Sequence, residues 1–322
     1  MNVLVVGGAG YIGSVCGAHL RASGIGVTCV DDLSTGHAAA SPGPLLVGDV
    51  RDRAFLARVF AATPVDAVLH FAARAEVAKS VREPTDTFSV NVGGTAALVE
   101  AMLAAGVRSL VFSSTCAVYG EPRTLPLVED HPFAPVSPYG ESKAVAERIL
   151  ALAREREGLR VSALRYFNAA GAAPDGSRGE SHHPESHLIP LAIQASRGER
   201  PPIAVFGDDW PTRDGSCVRD YIHVLDLAEA HRIALCRLVD GDRGDVYNLG
   251  SGGGSTVREV LAAIERVTGR AVPHRIETRR PGDPAELWAD PSRARAAFDW
   301  NPRYDLDEIV AHAARWAAAP AY

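Results

Sequence analysis

Tyr139 and Lys143 stand four residues apart in the stretch "SPYGESK", a spacing that places two side chains on one face of a helix. Ser137 is a suitable N-cap and Pro138 suits the first helical turn, so both side chains should lie near the helix start. Lysine is rare here, because only Lys79 and Lys143 are lysines among the 33 basic residues. A phenol beside an ammonium group can give up and take back a proton, so the pair indicates acid–base chemistry.

Hydroxyl groups follow an apolar run in "LVFSSTCAVYG", where Ser113, Ser114 and Thr115 end a predicted strand. Ligands of open α/β sheets bind at the carboxyl ends of the strands, so these hydroxyls are placed to meet a substrate. Serine and threonine are also common at strand ends for structural reasons. The Tyr139–Lys143 pair favours the functional interpretation.

A glycine-rich turn follows the first apolar run in "VLVVGGAGYIGS". Gly7, Gly10 and Gly13 allow a tight turn, close approach of the backbone to a pyrophosphate, and close packing of a helix on a strand. The following helix would direct its free N–H groups at the anion. Because the turn comes directly after a strand, the pattern predicts a dinucleotide site.

Asp31 and Asp32 end the second predicted strand, where a carboxylate accepts hydrogen bonds from the adenosine ribose. No arginine stands beside them in the sequence, so we predict NAD rather than NADP. The positive charge of the nicotinamide ring would add to that of Lys143, and we expect both to lower the pKa of Tyr139 below its ordinary value of about 10. Asp49, after the third strand, should lie near the adenine.

The elements that carry these residues alternate between strand and helix. Strand-like runs are predicted at 3–6, 27–30, 67–70, 110–112 and 161–164, and helices at 11–23, 52–62, 85–105 and 139–156. This alternation predicts an α/β fold with a doubly wound parallel sheet, the Rossmann type. From residue 169 onward the rhythm breaks. We therefore predict an NAD-binding domain at 1–168 and a smaller C-terminal α/β substrate domain at 169–322, with segments that return to the main sheet.

Composition excludes several classes of protein. The formal net charge of −6 is spread over both signs, which argues against a nucleic-acid partner. No apolar run approaches the roughly 18 residues that span a membrane, and the first residues do not resemble a signal peptide. We expect a cytoplasmic protein.

The spacing of the cysteines and histidines does not indicate a metal site. The five cysteines are dispersed and lack C-x-x-C spacing, so we expect neither a disulfide framework nor a zinc site from them. His182, His183 and His187 lie among Glu, Pro and Ser, which is typical of a solvated loop. We therefore predict no metal.

Further motifs extend over essentially the whole chain; they include "HFAA", "NVGGT", "LRYFNAAGA", "DGSCVRDYIHV", "VYNLGSG" and "RRPGDPAELWAD". With the motifs above, they resemble the extended short-chain dehydrogenase/reductase superfamily and, within it, the UDP-glucose (UDP-galactose) 4-epimerase family. The segment around "DGSCVRDYIHV" is more specific than the superfamily pattern.

The resemblance implies a role for each matched position. Tyr139 would be the base toward the sugar 4-hydroxyl, Lys143 its electrostatic partner, and Thr115 a hydrogen-bond partner of that hydroxyl. The NAD-contacting positions hold Gly7, Gly10, Tyr11, Ile12, Gly13, Asp31, Asp49, Val50, Phe71, Ala72, Asn91, Tyr139, Lys143 and Tyr166. The UDP-sugar positions hold Thr115, Tyr139, Asn168, His187, Leu188, Arg219, Arg280, Asp283 and Leu287.

Three positions depart from the family's pattern. Many members carry a lysine that binds the nicotinamide ribose where this chain has Ala75. A UDP-contacting asparagine is replaced by His187. Leu287, which would face the sugar 2-substituent, is intermediate between the bulky and small residues of the family. How firmly NAD is retained and which sugars are accepted therefore stay open.

The activity implied is the reversible inversion of C4 in UDP-galactose or UDP-glucose through a transient 4-keto sugar, with NAD tightly bound. A 4,6-dehydratase needs an Asp-Glu pair after the threonine, where this chain has Cys116 and Ala117. The alternatives left open are a 4-epimerase of another UDP-sugar (N-acetylhexosamine, pentose or uronic acid) and a non-catalytic NAD-binding sensor. The family also implies a homodimer through the helices at 85–105 and 139–156.

Overall fold

The structure is a computed structural model that describes residues 1–280 and 282–322. Its strands are β1 Asn2–Val6, β2 Gly26–Asp31, β3 Leu45–Val47, β4 Ala67–His70, β5 Ser109–Thr115, β6 Arg160–Tyr166, β7 Asn168–Ala170, β8 Ile203–Phe206, β9 Val218–Arg219, β10 Tyr221–His223, β11 Val246–Leu249, β12 Ser255–Thr256, β13 His274–Glu277 and β14 Glu286–Leu287. Its helices are α1 Tyr11–Ala22, α2 Arg53–Ala62, α3 Val77–Arg82, α4 Pro84–Phe88, α5 Thr95–Ala104, α6 Pro138–Arg156, α7 Leu188–Ser196, α8 Val224–Val239, α9 Val257–Thr268, α10 Ser292–Phe298 and α11 Leu306–Ala318.

The main sheet has seven strands in the order β11-β6-β5-β4-β1-β2-β3. β1 pairs in parallel with both β2 and β4, and the pairs β2–β3 and β4–β5 are parallel as well. β2 and β3 extend the sheet from one edge of β1, and β4, β5 and β6 then extend it from the other edge. The strand order therefore reverses between β1 and β4. Ligands of such sheets bind at this reversal, outside the carboxyl ends of the strands. The predicted doubly wound parallel sheet is confirmed.

The chain separates into two compact units, of which the first comprises residues 1–120, 131–165 and 228–247. Its core contains buried aliphatic and aromatic side chains from the sheet and from the helices on it, among them Leu4, Val6, Leu56, Leu98, Met102, Leu110, Phe112 and Leu150. These near-continuous apolar strands are typical of a parallel sheet that is covered on both faces.

The second unit comprises residues 121–130, 166–227 and 248–322. Short strands form the parallel pairs β7–β10 and β8–β13 and the three-stranded sheet β12-β9-β14. α7, α9 and α11 pack together around a core that includes Ile193, Val205, Ile264 and Val310. α9 and α11 each begin with a capping box, at Thr256 and Asp305. The division by role at residue 168 stays a prediction.

The helix predicted at 85–105 contains a change of geometry. α4 and α5 are joined by a π-helical turn, Ser89–Gly94, which the sequence pattern did not predict. Gly94 permits close packing there, because a Cβ atom on it would lie 2.5 Å from Cγ1 of Val50. π-helical turns often occur at functional sites.

The stretch Pro84–Ala104 is apolar and long enough to cross a membrane by length and composition alone. Half of its most apolar window is buried inside the protein, and Val90, Leu98 and Met102 are almost fully buried. A core helix meets the same two criteria. Its packing against α2 and α6 accounts for its apolar composition.

Candidate active site

The glycine-rich turn lies between β1 and α1, at the point where the strand order reverses. Gly7 has a φ of +85°, and a Cβ atom on it would lie 2.5 Å from the backbone nitrogen of Ala72. A Cβ atom on Gly13 would lie 2.1 Å from the carbonyl oxygen of Gly7. Only glycine fits at both positions. Gly10 caps α1 without a side-chain hydrogen bond, so the first N–H groups of the helix remain available for an anion.

The carboxylate of Asp31 is fixed beside this turn. It accepts hydrogen bonds of 2.9 Å from the backbone N–H groups of Ala9 and Leu33. Burial raises the pKa of the carboxyl above its usual value, while those backbone bonds act in the opposite direction. The arrangement gives a positioned acceptor for ribose hydroxyls, as the sequence predicts.

A cleft opens along this edge, with about 540 Å³ of empty space that includes space open to solvent. Residues lining it are Val6, Gly7, Gly10, Val30, Asp31, Asp32, Ser34, Thr35, Gly48, Asp49, Val50, Phe71, Ala72, Ala73, Arg74 and Val90. Seven of the predicted cofactor residues are in that set. Tyr11, Ile12 and Gly13 belong to the start of α1, directly behind the turn. A pyrophosphate at the helix N-terminus and a ribose on Asp31 fit this cleft.

Asn91 lies behind the cleft, in the π-helical turn. Its side-chain oxygen accepts a 2.7 Å hydrogen bond from the backbone N–H of Arg74, and its amide nitrogen donates to the Arg74 carbonyl (3.1 Å) and the Ser142 hydroxyl (2.9 Å). The side chain is 2% exposed. Its bonds therefore position the segment after β4, which lines the cleft.

No arginine stands beside the acids at the end of β2 in the sequence, but the fold brings Arg74 next to Asp32. The Arg74 guanidinium donates to the Ser34 hydroxyl at 2.6 Å and lies 3.8 Å from the carboxylate of Asp32. β1 separates β2 from β4 in the sheet, so the loops after these strands meet at one edge. Asp32 and Asp86 share the charge of Arg74, since Asp86 accepts from its Nε at 3.0 Å. The guanidinium is thus already paired with carboxylates.

Asp49, predicted near the adenine, pairs with Arg51. The Arg51 Nε lies 3.0 Å from both carboxylate oxygens, and Nη2 lies 2.6 Å from one of them. These hydrogen bonds hold the pKa of Asp49 below its usual value. The carboxylate therefore has a charged partner at the cleft wall.

The catalytic candidates meet at the end of β5. Ser137 caps α6 as predicted, its hydroxyl accepting from the Gly140 N–H at 3.1 Å. The Thr115 side chain acts on the Tyr139 hydroxyl, in the direction that lowers its pKa. Lys143 is 2% exposed and donates from Nζ to the Ser113 carbonyl at 2.8 Å. The structure therefore brings together the phenol, the threonine hydroxyl and the ammonium group.

The pKa values of these groups differ from the prediction. Burial raises the pKa of Tyr139 to about 12, although the hydrogen bond with Thr115 acts to lower it. Burial also lowers the pKa of Lys143 to about 7, against the attraction of Glu147. Among the chain's own groups, burial raises the pKa of Tyr139 more than the Lys143 ammonium was expected to lower it. A lowered pKa of Tyr139 therefore depends on the positive charge of the nicotinamide ring.

A buried ion pair behind these residues was missed by the sequence analysis. Glu147, one turn after Lys143, pairs with Arg165 at 2.6 Å and is hydrogen-bonded to the Ser114 hydroxyl. Arg165 also donates to the hydroxyl of Tyr119 at 2.9 Å. The available signal was the position of Glu147 on the helix face of Lys143. The pair stabilises the junction of β5 and α6.

Three of the predicted nucleotide residues lie together in the second unit. Arg219 on β9 lies 3.7 Å from the carboxylate of Asp283 and donates to the carbonyl of Pro284 at 3.0 Å. β9 pairs in parallel with β14, which sets Leu287 opposite Arg219. Two charged groups and one apolar group are therefore held at neighbouring positions.

The other predicted nucleotide residues also lie in this unit, and the carbonyl of Arg280 accepts a 3.3 Å hydrogen bond from the backbone N–H of Asp283. The guanidinium of Arg280 lies 3.8 Å from the ring centre of Phe206, a cation–π contact. Asn168 begins β7 and donates from its amide to the Asp220 carbonyl at 2.9 Å. Leu188 begins α7, preceded by His187 as N-cap.

Two predicted residues have surroundings that bear on their roles. His187 is hydrogen-bonded through Nδ1 to Glu180, a partner that the sequence analysis did not consider. Tyr166, predicted to contact NAD, ends β6 and belongs to the second unit. Their proposed ligand contacts stay predictions.

Comparison with known proteins gives the family. A model described as the NAD dependent epimerase/dehydratase family matches residues 3–250. A UDP-glucose 4-epimerase of Lacticaseibacillus casei is 46% identical over 319 residues, covering 98% of this chain and 96% of that protein.

Solved structures agree over the same length. UDP-glucose 4-epimerase from Brucella ovis, in complex with NAD, matches with a TM-score of 0.96 and 45% identity over 98% of both chains. The enzyme from Bifidobacterium longum, in complex with NAD+ and UDP, matches with a TM-score of 0.93 and 36% identity over 99% of both. The chain therefore belongs to the NAD dependent epimerase/dehydratase family, among the UDP-glucose 4-epimerases, as its motifs predict.

Proposed function

We propose that the protein catalyses the reversible C4 epimerisation of UDP-galactose and UDP-glucose with bound NAD. The observation that carries this proposal is the grouping of Tyr139, Thr115 and the buried Lys143 at the carboxyl end of β5. The same edge carries the cleft with the glycine-rich turn and Asp31. Relatives of nearly the same length are UDP-glucose 4-epimerases.

The cleft holds the cofactor in this proposal. Gly7 and Gly10 let the backbone approach the pyrophosphate, and Asp31 accepts from the adenosine ribose. The chemistry that NAD supplies when bound is reversible hydride transfer at C4 of the sugar. Lys143, whose Nζ donates to the Ser113 carbonyl near the end of β5, would lie at the nicotinamide end of the bound cofactor.

Tyr139 moves the proton. Its phenolate takes the proton from the 4-hydroxyl while the hydride leaves C4, so that C4 becomes a carbonyl. Thr115 ends β5 beside the phenol and would hydrogen-bond the 4-hydroxyl of the sugar. After the sugar has turned, the hydride returns to the opposite face of C4 and the same phenol returns the proton to the oxygen, so no net oxidation occurs.

The nucleotide must stay bound while the sugar turns. Arg219 and Arg280 supply guanidinium groups for the diphosphate, and Asp283 supplies an acceptor for hydroxyls of the uridine ribose. Affinity for UDP is equal for both sugars and for the keto form, so it retains the intermediate without favouring one product.

The test uses purified protein and UDP-galactose with no added NAD, and follows UDP-glucose by NMR. We expect conversion without an added oxidant, and none with Tyr139→Phe, which retains the fold but lacks the phenolic proton carrier. Conversion only after NAD is added would leave the function standing and show weak retention, consistent with Ala75. No conversion with NAD present would overturn the proposal.

We further propose a cytoplasmic homodimer. The helices that the family resemblance implies for the interface correspond to α4, α5 and α6, and the Leu152 side chain on α6 is 59% exposed. A mass measurement by light scattering should give twice the chain mass of 34.1 kDa.

A further inference from the structure

Two histidines and two glutamates converge in the second unit, in the segment before α7. Glu180, His182, Glu185 and His187 each offer one ligand atom, and these atoms all lie within 4.8 Å of one another. The sequence analysis predicts a solvated loop here. The side chains of Glu180 and Glu185 are instead only 6% and 9% exposed.

The distances suit a small cation with tetrahedral ligands. The Nδ1 of His182 lies 3.1 Å from Glu180 and 3.9 Å from Glu185, and the Nδ1 of His187 lies 3.7 Å from Glu185. Bonds of about 2.0–2.1 Å to zinc place tetrahedral ligand atoms about 3.4 Å apart. These three separations lie around that value, whereas the Nδ1 of His187 is in a short hydrogen bond with Glu180, so those two atoms must move apart to admit the ion.

Hydrogen bonds hold both ends of the segment. The Glu180 carbonyl accepts a 2.7 Å hydrogen bond from the indole of Trp316, and the neighbouring Gly179 exchanges hydrogen bonds with the hydroxyl of Tyr322. At the other end, the Glu185 carboxylate accepts from the backbone N–H of His187, which caps α7. The four ligand atoms are therefore brought together by a positioned backbone.

We propose that Glu180, His182, Glu185 and His187 bind one divalent transition-metal ion, and that Zn²⁺ is the ion best suited to them. Two imidazole nitrogens disfavour Mg²⁺ and Ca²⁺, which prefer oxygen ligands throughout, whereas zinc takes both histidine and carboxylate. Four protein ligands complete a tetrahedral set, so the ion has a structural role.

The site links the irregular segment before α7 to the first turn of that helix. Without the ion, the two histidines form ion pairs with the two nearly buried carboxylates. With it, residues 180 and 187 are joined through a single centre. The ion stabilises the start of α7, where Leu188 lies.

The test uses the purified full-length protein, treated with a chelator, dialysed and titrated with ZnCl₂ alone. Elemental analysis should give one zinc per chain, and calorimetry one site that His182→Ala and Glu185→Gln each weaken at least about tenfold. His183→Ala is the matched control, a histidine of the same segment outside the four, and should bind as the wild type does.

Thermal unfolding gives a second readout that does not depend on activity. Zinc at about a hundredfold excess over its Kd should raise the Tm by about 4 °C in the wild type and in His183→Ala, and by no more than about half of that in His182→Ala. Equal binding by His182→Ala and His183→Ala, or substoichiometric zinc in the wild type, would overturn the proposal. Circular dichroism of each variant shows that a loss of zinc is not a loss of fold.

Discussion

The side chain of Lys143 is closely enclosed by its neighbours. Its Nζ donates to the Ser113 carbonyl at 2.8 Å and lies 4.6 Å from the centre of the Phe112 ring, and the side chain is almost fully buried. A guanidinium is larger and planar, so it cannot take the same place without moving its neighbours. The charge alone is therefore insufficient at this position.

We expect Lys143→Arg to lower the turnover of UDP-galactose at least about a hundredfold, because the cation no longer lies where it stabilises the phenolate of Tyr139. Lys79→Arg is the matched control, since Lys79 is the other lysine and lies partly exposed on α3. It should keep the wild-type rate within about twofold. Half of the wild-type rate in Lys143→Arg would show that a charge suffices.

Arg74 compensates acidic groups at the cofactor cleft. Its guanidinium contacts Ser34, Asp32 and Asp86. Arg74→Ala removes the cation between Asp32 and Asp86 beside an anionic dinucleotide, although Asp86 keeps Arg51 at 3.5 Å, so we expect the Kd of NAD to rise about tenfold, which corresponds to about 1.4 kcal/mol. Calorimetric titration measures it.

Arg53→Ala is the control for this prediction, because Arg53 pairs only with Glu100 at the exposed surface of α2 among the bonds described for it. Its Kd for NAD should stay unchanged. Equal affinities of the Arg74→Ala and Arg53→Ala variants would show that Arg74 does not act on the cofactor.

At the scale of the elements, the sequence predicts what local patterns determine. The start of α6 follows from Ser137 and Pro138, and the strands of the main sheet follow from apolar runs of the right length. β9, β12 and β14 are two residues long, which is too short to show the alternation of apolar and polar residues that indicates a strand. They form because distant segments pair.

Contacts between distant segments account for what the sequence did not predict in the site. Arg74 meets Asp32 across 42 residues because β2 and β4 flank β1. Arg165 on β6 meets Glu147 on α6 because the fold brings these two elements together. Neither partner can be identified until the strand order is known.

The π-helical turn is the element whose role can be measured most directly. Asn91→Ala removes three hydrogen bonds from a buried side chain and leaves the backbone N–H and carbonyl of Arg74 without their partner. We expect the free energy of unfolding to fall by about 3 kcal/mol. Urea denaturation followed by far-UV circular dichroism measures it.

Asn301→Ala is the matched control, because Asn301 is exposed, and its effect should stay within about 0.5 kcal/mol. A loss of less than about 1 kcal/mol in Asn91→Ala would contradict the role of these bonds, since that is the net contribution of one ordinary hydrogen bond.

At the scale of the whole molecule, each unit buries a histidine that stays neutral. Burial lowers the pKa of His70 in the first unit and of His223 in the second from 6.5 to about 3. The unfolded chain takes up a proton on each below pH 6.5, whereas the folded units do not. Acidification between pH 6.5 and 4.5 therefore favours unfolding, by about 1.4 kcal/mol per pH unit for each histidine.

His70 offers a clean test, because its removal leaves its partner satisfied. Its Nε2 lies 3.0 Å from the Thr95 hydroxyl, which also donates to the Asn91 carbonyl at 2.6 Å, and its Nδ1 has no hydrogen-bond partner among the described residues. In His70→Leu the loss of stability between pH 6.5 and 4.5 should be smaller than in the wild type by about 1.4 kcal/mol per pH unit. Urea denaturation at several pH values measures both slopes. His274→Leu, a change at an exposed position on β13, should keep the wild-type slope, and an unchanged slope in His70→Leu would show that the buried ring does not couple folding to pH.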